Sequence, residues 1–286
     1  MKALGVTFDI GLLLLDWANA LFLLAIIGAA IDLGRQRLYS RRKPLRFDPI
    51  ANPKVCIGML AYNDELSIGG AVRGFKELKE TASVVVVDNN SKDKTTIEAK
   101  KAGARVVGEP VQGYGAACIR ALTEALEDSK TKGNIVCLVE GDQTYFPTDM
   151  RKMLSYLENV DLVVGTRTTC EIVAPDSQIT PFILYGNIFI AKLLQLRFWG
   201  TYRITDVGIG FALIRPEALK KILPKLTVKR NYFSPHMLIT ALKCDLRVME
   251  CPIAFKKRVG KSKGVGSSIS KGLFNGLKMI ELILTA

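Results

Sequence analysis

An α/β fold, with a mainly parallel sheet covered by helices on both faces, is what this sequence predicts, on three observations. Apolar, β-branched runs recur from Val55 onward without the alternation of a half-solvated strand. Helix-compatible stretches separate them, the pattern of βαβ units. Polar residues gather where the runs stop: Asn63 and Asp64, Asp88 and Asn89, Glu140 and Asp142, Thr166 and Arg167. Ligands of open parallel sheets bind outside the carboxyl ends of the strands, so four strands deliver chemistry to one edge.

Ahead of this body, Ile10 to Ile31 is nearly all apolar, IGLLLLDWANALFLLAIIGAAI, about the length that crosses a bilayer as a helix. Residues 1–34 are therefore expected to form a transmembrane or membrane-inserted anchor. Asp16 and Asn19 interrupt the run, which leaves an amphipathic or signal-like segment as the other reading. The collar Arg35, Arg37, Arg41, Arg42, Lys43 and Arg46 follows immediately, and 35–53 reads as a basic juxtamembrane linker. By the positive-inside rule the collar stays cytoplasmic, together with the catalytic body that follows it, and it attracts anionic headgroups.

The body spans 54–263. Val55–Ala61 is the first strand, followed by Asn63-Asp-Glu65 and a helix to about Leu78. Ser83–Asp88 is the second, and Asn89-Asn-Ser-Lys-Asp-Lys-Thr95 opens a helix to about Lys101. A short strand, Ala104–Val107, leads through Gly113-Tyr-Gly115 to a helix over Ala116–Leu126. Strands at Ile135–Val139 and Asp161–Gly165 enclose a helix at Thr148–Leu157. The apolar stretch Phe182–Trp199, with Lys192 and Arg197, reads as a helix either buried under the sheet or lying at a membrane. Residues 264–286 carry helical apolar spacing and two lysines. They are expected to lie on a membrane surface, or to pack as an ordinary amphipathic helix.

Composition bounds the partners. The 286 residues carry 40 Lys and Arg against 27 Asp and Glu, a net charge of +13. Such an excess suits a phosphate-bearing substrate, an acidic membrane face or nucleic acid. The six cysteines are scattered without any C-x-x-C pair and several lie in apolar runs, so neither a disulfide framework nor a zinc site is expected. The single histidine, His236, cannot build a metal site or a nucleophilic triad alone.

Glu140-Gly-Asp142 raises the sharpest chemical question. Two acids this close raise one another's pKa unless something positive compensates, either a cation or the water around an exposed turn. No Walker A sequence occurs, and Gly113-Tyr-Gly115 is too short for a dinucleotide fingerprint.

Ala61-Tyr-Asn-Asp-Glu65, Val87-Asp-Asn-Asn-Ser-Lys-Asp-Lys-Thr95, Gly113-Tyr-Gly-Ala-Ala117, Glu140-Gly-Asp142 and Val164-Gly-Thr-Arg167 stand in the order found in family 2 glycosyltransferases, which the chain resembles. Asp206-Val-Gly-Ile-Gly-Phe211 and Arg258-Val-Gly-Lys-Ser-Lys263 are similar to the branch of dolichyl-phosphate mannose and glucose synthases. The resemblance covers about Lys54 to Lys263. It implies a GT-A nucleotide-diphospho-sugar transferase fold working with Mg²⁺ or Mn²⁺. On it, Ala61, Tyr62, Asn63, Glu65, Asp88, Asn90, Gly113, Gly115, Glu140, Gly141 and Asp142 would contact the donor, a UDP- or GDP-linked sugar. Asp142 would bind the cation, with Glu140 beside it, and hard oxygen ligands suit these metals. Arg167, Arg258 and Lys263 would hold phosphate or acceptor, and Asp206 would act at the catalytic edge with Asp142. Tyr114 stands where many relatives carry Lys, His236 where many carry Glu, and the segment before Gly186-Asn187 lacks their arginine.

The implied reaction is inverting transfer of a hexose (mannose, glucose or an N-acetylhexosamine) from the nucleotide sugar to a polyprenyl or dolichyl phosphate in a lipid bilayer. Nucleic acid is not an expected partner. A glycolipid or polysaccharide acceptor, or sugar-phosphate nucleotidyl transfer on the same fold, are the alternatives.

Overall fold

The computed structural model describes residues 10–42, 44–198, 202–260 and 269–286. Contacts divide the chain into one unit of Met1–Pro44 with Trp199–Tyr202 and a second of Leu45–Phe198 with Arg203–Ala286.

In the first unit, helix α1 runs over Ile10–Arg42 and exposes Trp17, Leu21, Phe22, Leu23 and Leu24. Among the described residues no helix is long and apolar enough to cross a membrane, so the structure does not support the transmembrane reading of 1–34. Asp16 and Asn19 interrupt the apolar run, and a charge inside a lone span is costly. The boundary at 34 also moves. Arg35 to Arg42, read as the start of a linker, continue the helix, because no proline intervenes before Pro44 and Arg, Gln and Leu favour helix.

The second unit is a seven-stranded sheet in the order β3-β2-β1-β4-β6-β5-β7. Its strands are β1 Val55–Ala61, β2 Thr81–Asp88, β3 Arg105–Gly108, β4 Ile135–Glu140, β5 Leu162–Thr166, β6 Phe211–Ile214 and β7 Val248–Pro252. The pairs β1/β2, β2/β3, β1/β4 and β5/β7 are parallel, while β6 runs antiparallel to both β4 and β5. Helices α2 (Ile68–Lys76), α3 (Thr95–Lys101), α4 (Tyr114–Ser129) and α5 (Asp149–Leu157) connect the early strands.

Both faces are covered, as the continuous apolar runs require. On one face Ile57, Met59, Val84, Val86, Val139 and Phe211 pack with Ile68, Val72 and Phe75 of α2 and Met150 and Met153 of α5. On the other, β1 lies against α4, so tightly that a Cβ on Gly58 would stand 2.4 Å from the Ala121 carbonyl oxygen.

Helices α6 (Pro181–Arg197), α7 (Pro216–Ile222), α8 (Phe233–Lys243) and α9 (Ile269–Thr285) complete the unit. Sequence periodicity did not mark β6, β7, α7 or α8. Each of these is short, and α8 opens on Phe-Ser-Pro-His, a composition that also suits a turn. The antiparallel insertion of β6 between β4 and β5 is a tertiary event that no local pattern announces.

Candidate active site

Parallel pairing aligns the strand ends. Ala61 pairs with Asp88, Leu60 with Glu140, and Asp88 with Gly108. Beyond these ends the chain turns through left-handed residues: Asn63 (φ 51°), Asn90 (φ 63°) and Gln143 (φ 63°). Asparagine tolerates this conformation better than most residues. Gln143 is held in it by a bond from its Nε2 to the Ser67 carbonyl at 2.7 Å. The three turns carry Asp64, Ser91 and Asp142 to one rim.

Asp142 is buried. Its Oδ1 accepts from the Thr144 amide at 3.0 Å and the Thr144 hydroxyl at 2.6 Å. Its Oδ2 has no hydrogen-bond partner and faces Arg258 Nη1 at 3.2 Å. Arg258 Nη2 donates to Asp64 Oδ1 at 2.9 Å, while Asp64 Oδ2 accepts from the Tyr62 amide at 3.0 Å. One guanidinium therefore bridges two acids delivered by different strands. A tie from the Val259 amide to the Asp142 carbonyl, 3.3 Å, keeps the basic segment at the rim. Lys263, expected to act with Arg258, lies outside the described residues.

Glu140 ends β4, its amide bonded to the Gly210 carbonyl at 3.1 Å. A Cβ on Gly210 would meet the Glu140 carboxyl carbon at 3.0 Å and the Tyr145 hydroxyl at 2.1 Å, so only glycine fits beside them. Burial pushes the Glu140 carboxyl up to about 7; the Asp142 charge adds to this and Arg167 opposes it. From its ordinary value of 4.5 up to about pH 7, the folded state keeps a proton that the unfolded chain has released. Stability therefore falls as pH rises through that window. Glu140→Gln is expected to remove the slope, a difference of roughly 3 kcal/mol at about 1.4 kcal/mol per pKa unit. Denaturant melts at pH 5 and pH 8 without divalent ions would measure it, and equal slopes in the two proteins would refute the shift.

Arg167 follows β5 and forks onto Asp206: Nε to Oδ2 at 2.8 Å, Nη2 to Oδ1 at 2.9 Å, and its own amide to Oδ2 at 3.1 Å. The Gly208 amide adds a fourth bond to Asp206 Oδ1 at 2.8 Å. From β7, Glu250 accepts from the Thr205 and Asp206 amides, both at 2.8 Å, and from the Thr205 hydroxyl at 2.9 Å. Arg167 is thus paired with Asp206, while Asp161 binds Arg46.

Asp88 caps its own turn, accepting from the Ser91 amide at 3.2 Å and the Thr96 hydroxyl at 3.3 Å. Asn63 Oδ1 takes the Lys92 amide at 2.7 Å, Glu65 Oε2 takes the Lys94 amide at 3.0 Å, and Asn90 Nδ2 donates to the Pro110 carbonyl at 3.0 Å. The first two bonds lace the end of β1 to the turn after β2, and the third ties that turn to the segment after β3. Ala61 accepts the Asn89 amide through its carbonyl at 3.0 Å. Gly113 and Gly115 lie against the segment after α7: a Cβ on either would stand 2.2 Å from the Lys229 or Val228 carbonyl oxygen. Gly141 is equally crowded, 2.5 Å from Ile68 Cδ1.

Sequence reasoning gave no role to Asn89 or Glu250. Buried Asn89 clamps the 109–113 loop, donating to the Glu109 and Val111 carbonyls at 3.0 and 2.8 Å and accepting the Gly113 amide at 2.8 Å. The run Asp88-Asn-Asn offered a signal for it. Glu250 had one too, a lone acid inside the β-like Val248-Met-Glu-Cys-Pro252.

A cavity of about 740 Å³ lies at the other ends of the parallel strands, lined by Arg46, Asp48, Asn134, Asp161 and Arg215. There Arg215 pairs with Asp48 at 2.9 Å and Arg46 with Asp161 at 2.5 Å, which ties the 46–48 segment to the body.

The donor set at the rim is made of hard carboxylate oxygens, the type that divalent cations such as Mg²⁺ and Mn²⁺ take. A buried carboxylate oxygen of Asp142 has no hydrogen bond and is neutralised by the Arg258 guanidinium, a place that a divalent cation would take if the arginine moved aside. Among the described residues no group of three or more His, Cys, Asp or Glu could hold a metal ion. Magnesium commonly takes only one or two carboxylates and completes its shell with substrate phosphates and water.

Comparison with known proteins identifies relatives of this chain. A dolichyl-phosphate hexose transferase of Haloferax volcanii is 27% identical over 233 residues, covering 79% of this chain and 93% of its own length. An uncharacterized protein of Methanocaldococcus jannaschii is 28% identical over 217 residues, 74% of this chain and 86% of its own. Glucosyl-3-phosphoglycerate synthase of Mycobacterium tuberculosis, solved with Mn²⁺, UDP-glucose and phosphoglyceric acid, superposes with a TM-score of 0.61. It covers 82% of this chain and 79% of that one at 17% identity, which shows a shared GT-A fold. The family model of glycosyl transferase family 2 matches residues 56–223, more than half of the chain and every strand end of the rim except β7. The chain belongs to glycosyl transferase family 2 and is a glycosyltransferase.

Proposed function

We propose that this glycosyltransferase moves a hexose, with inversion, from a UDP- or GDP-linked sugar to a polyprenyl or dolichyl phosphate at a membrane face, using Mg²⁺ or Mn²⁺. The observation that carries the acceptor is the state of Asp206. Its two oxygens accept four bonds, three of them from Arg167, so it is committed to orienting that arginine and is poorly placed to take a proton. An acceptor that arrives as a phosphate anion needs no strong base. The likeness to a dolichyl-phosphate hexose transferase over most of both chains supports the same reading.

On this reading Asp142 and Asp64 form the diphosphate end of the site. A divalent ion bound at Asp142 would supply positive charge to the departing nucleoside diphosphate. Arg258 exchanges its two carboxylates for diphosphate oxygens when the donor binds, so its charge stays beside the developing negative charge. Asp88, Asn63 and Asn90 shape the nucleotide end through the laced turns. The acceptor phosphate attacks the anomeric carbon from the face opposite the leaving group, through an oxocarbenium-like transition state.

A second reading rests on the synthase solved with phosphoglyceric acid. If a hydroxyl is the acceptor, a base is needed, and Glu140, titrating near 7, is the group at the rim that meets the requirement.

Membranes containing the full chain, given labelled UDP- and GDP-sugars with Mg²⁺ or Mn²⁺, are expected to yield a lipid-linked sugar released by mild acid. An acid-stable product, or label recovered on added phosphoglyceric acid and not in lipid, would overturn the lipid-phosphate acceptor.

A further inference from the structure

At the rim, the buried atoms Asp142 Oδ2, Arg258 Nε and the Tyr145 hydroxyl have no hydrogen-bond partner among the described residues. The first two belong to an ion pair, so charge compensates them. Tyr145 is neutral and has no such compensation. A buried hydroxyl without a partner carries a cost that a phenylalanine in its place would not.

Packing fixes where this hydroxyl points. The Tyr145 ring stands edge-on to Phe211 and Phe255, with centroids 5.7 and 5.3 Å away. Its backbone bridges to Phe255, and the neighbouring Thr144 carbonyl accepts the Lys256 amide at 2.9 Å. The hydroxyl lies over Gly210, where a Cβ would stand 2.1 Å from it and 3.0 Å from the Glu140 carboxyl carbon. Hydroxyl and carboxyl thus converge on one point, with the Arg167–Asp206 fork over Gly208 beside them.

The surrounding groups are committed elsewhere. Arg167 and Asp206 bind each other, the Tyr114 hydroxyl donates to the Ile209 carbonyl at 2.9 Å, and Asp142 Oδ1 takes the Thr144 hydroxyl. Burial and the Glu140 charge hold the Tyr145 phenol far above the ordinary tyrosine range, so it stays a donor.

The charges around it select what it can serve. Glu140, Asp142 and Asp206 act on this hydroxyl, and Arg167 is the cation opposing them. Three acids disfavour a phosphate oxygen at the same spot. A sugar hydroxyl suits it, because its oxygen accepts from Tyr145 while its proton goes to a Glu140 oxygen.

We propose that the Tyr145 hydroxyl, together with Glu140, binds one hydroxyl of the transferred hexose and so discriminates among donor sugars. The assignment rests on the proposed nucleotide-sugar donor and is independent of the acceptor. Segment 255–259 lies along 142–145 through the Lys256–Thr144 and Val259–Asp142 bonds, and it carries both Phe255 and Arg258. Movement of Arg258 onto the diphosphate therefore shifts the segment that covers the hydroxyl.

The test compares wild type with Tyr145→Phe, as full chains in detergent with Mn²⁺. Each is titrated with UDP, GDP, UDP-glucose, UDP-N-acetylglucosamine and GDP-mannose. The variant is expected to melt at the wild-type temperature or above it, since the free protein loses no bond. It should bind the nucleoside diphosphate as wild type does, and the matching nucleotide sugar about ten-fold more weakly. Monodeoxy analogues of that sugar locate the contact: for the one lacking the bonded hydroxyl, the two proteins should bind alike. Unchanged affinity for the nucleotide sugar, or an equal loss for the bare diphosphate, would overturn the assignment. A lower melting temperature in the variant would place the partner inside the fold and overturn it too. A wild type indifferent to every nucleotide sugar would remove the donor reading and this proposal with it, an outcome distinct from any difference between the two proteins.

Discussion

Asp142→Ala is expected to abolish the metal-dependent protection that UDP or GDP gives in thermal melts, and to lower sugar transfer by about 10³-fold. The size follows from the role. Removing a preorganised electrostatic group from a water-poor site commonly costs about 10²- to 10³-fold, and a lost metal contact adds to this. Folding should suffer less, because Arg258 keeps Asp64 as a partner and the alanine leaves no unpaired acid. Wild-type protection by UDP and Mn²⁺ in the variant would show that the cation sits elsewhere. Substituting Arg258 by Gln should act differently. It removes the charge that faces Asp142, so the metal binds at least as tightly while transfer slows.

Asp206→Ala should be the most destabilising single change at the rim. It strips the Arg167 guanidinium of two bonds and the Arg167 amide of a third, and leaves the arginine without its counter-charge. Breaking one side of a buried pair costs about 3–5 kcal/mol, a fall in Tm of roughly 10 °C for a domain of this size. Removing both charges is a different matter. Arg167→Met with Asp206→Leu should recover much of the stability, since apolar replacement of a buried pair is often close to neutral. Transfer should stay lost in both variants. If the double variant were no more stable than Asp206→Ala, the pair would not be the coupled unit that the geometry describes; if it retained transfer, neither residue would serve the reaction.

The rim was legible because its chemistry is written next to strand ends. Asp88, Glu140 and Asp142 each follow an apolar run, and parallel pairing brings such positions together with no further information. Asp206 was legible only through resemblance, since nothing local ties it to the strands. Its pairing with Arg167 was not legible at all. Arg167 and Asp206 stand 39 residues apart, and the fork between them depends on Glu250 gripping the backbone at Thr205 and Asp206 from β7.

The two acids of Glu140-Gly-Asp142 also divided their roles only in three dimensions. The backbone at Gln143 turns left-handed and aims Asp142 at Arg258, whereas Glu140, still in the strand, stays beside Tyr114 and Gly210. Burial then raises the Glu140 carboxyl. Sequence proximity alone would have treated them as a matched pair.

Local pattern determined the α/β class, the first five strands in order, and the edge on which the chemistry gathers. Those depend on runs of neighbouring residues and on the common direction of parallel strands. The antiparallel β6, the Arg167–Asp206 fork and the single arginine shared by Asp64 and Asp142 were decided by tertiary structure. Each needs two segments distant in the chain to meet, and their contact energies have no trace in the spacing of either segment alone.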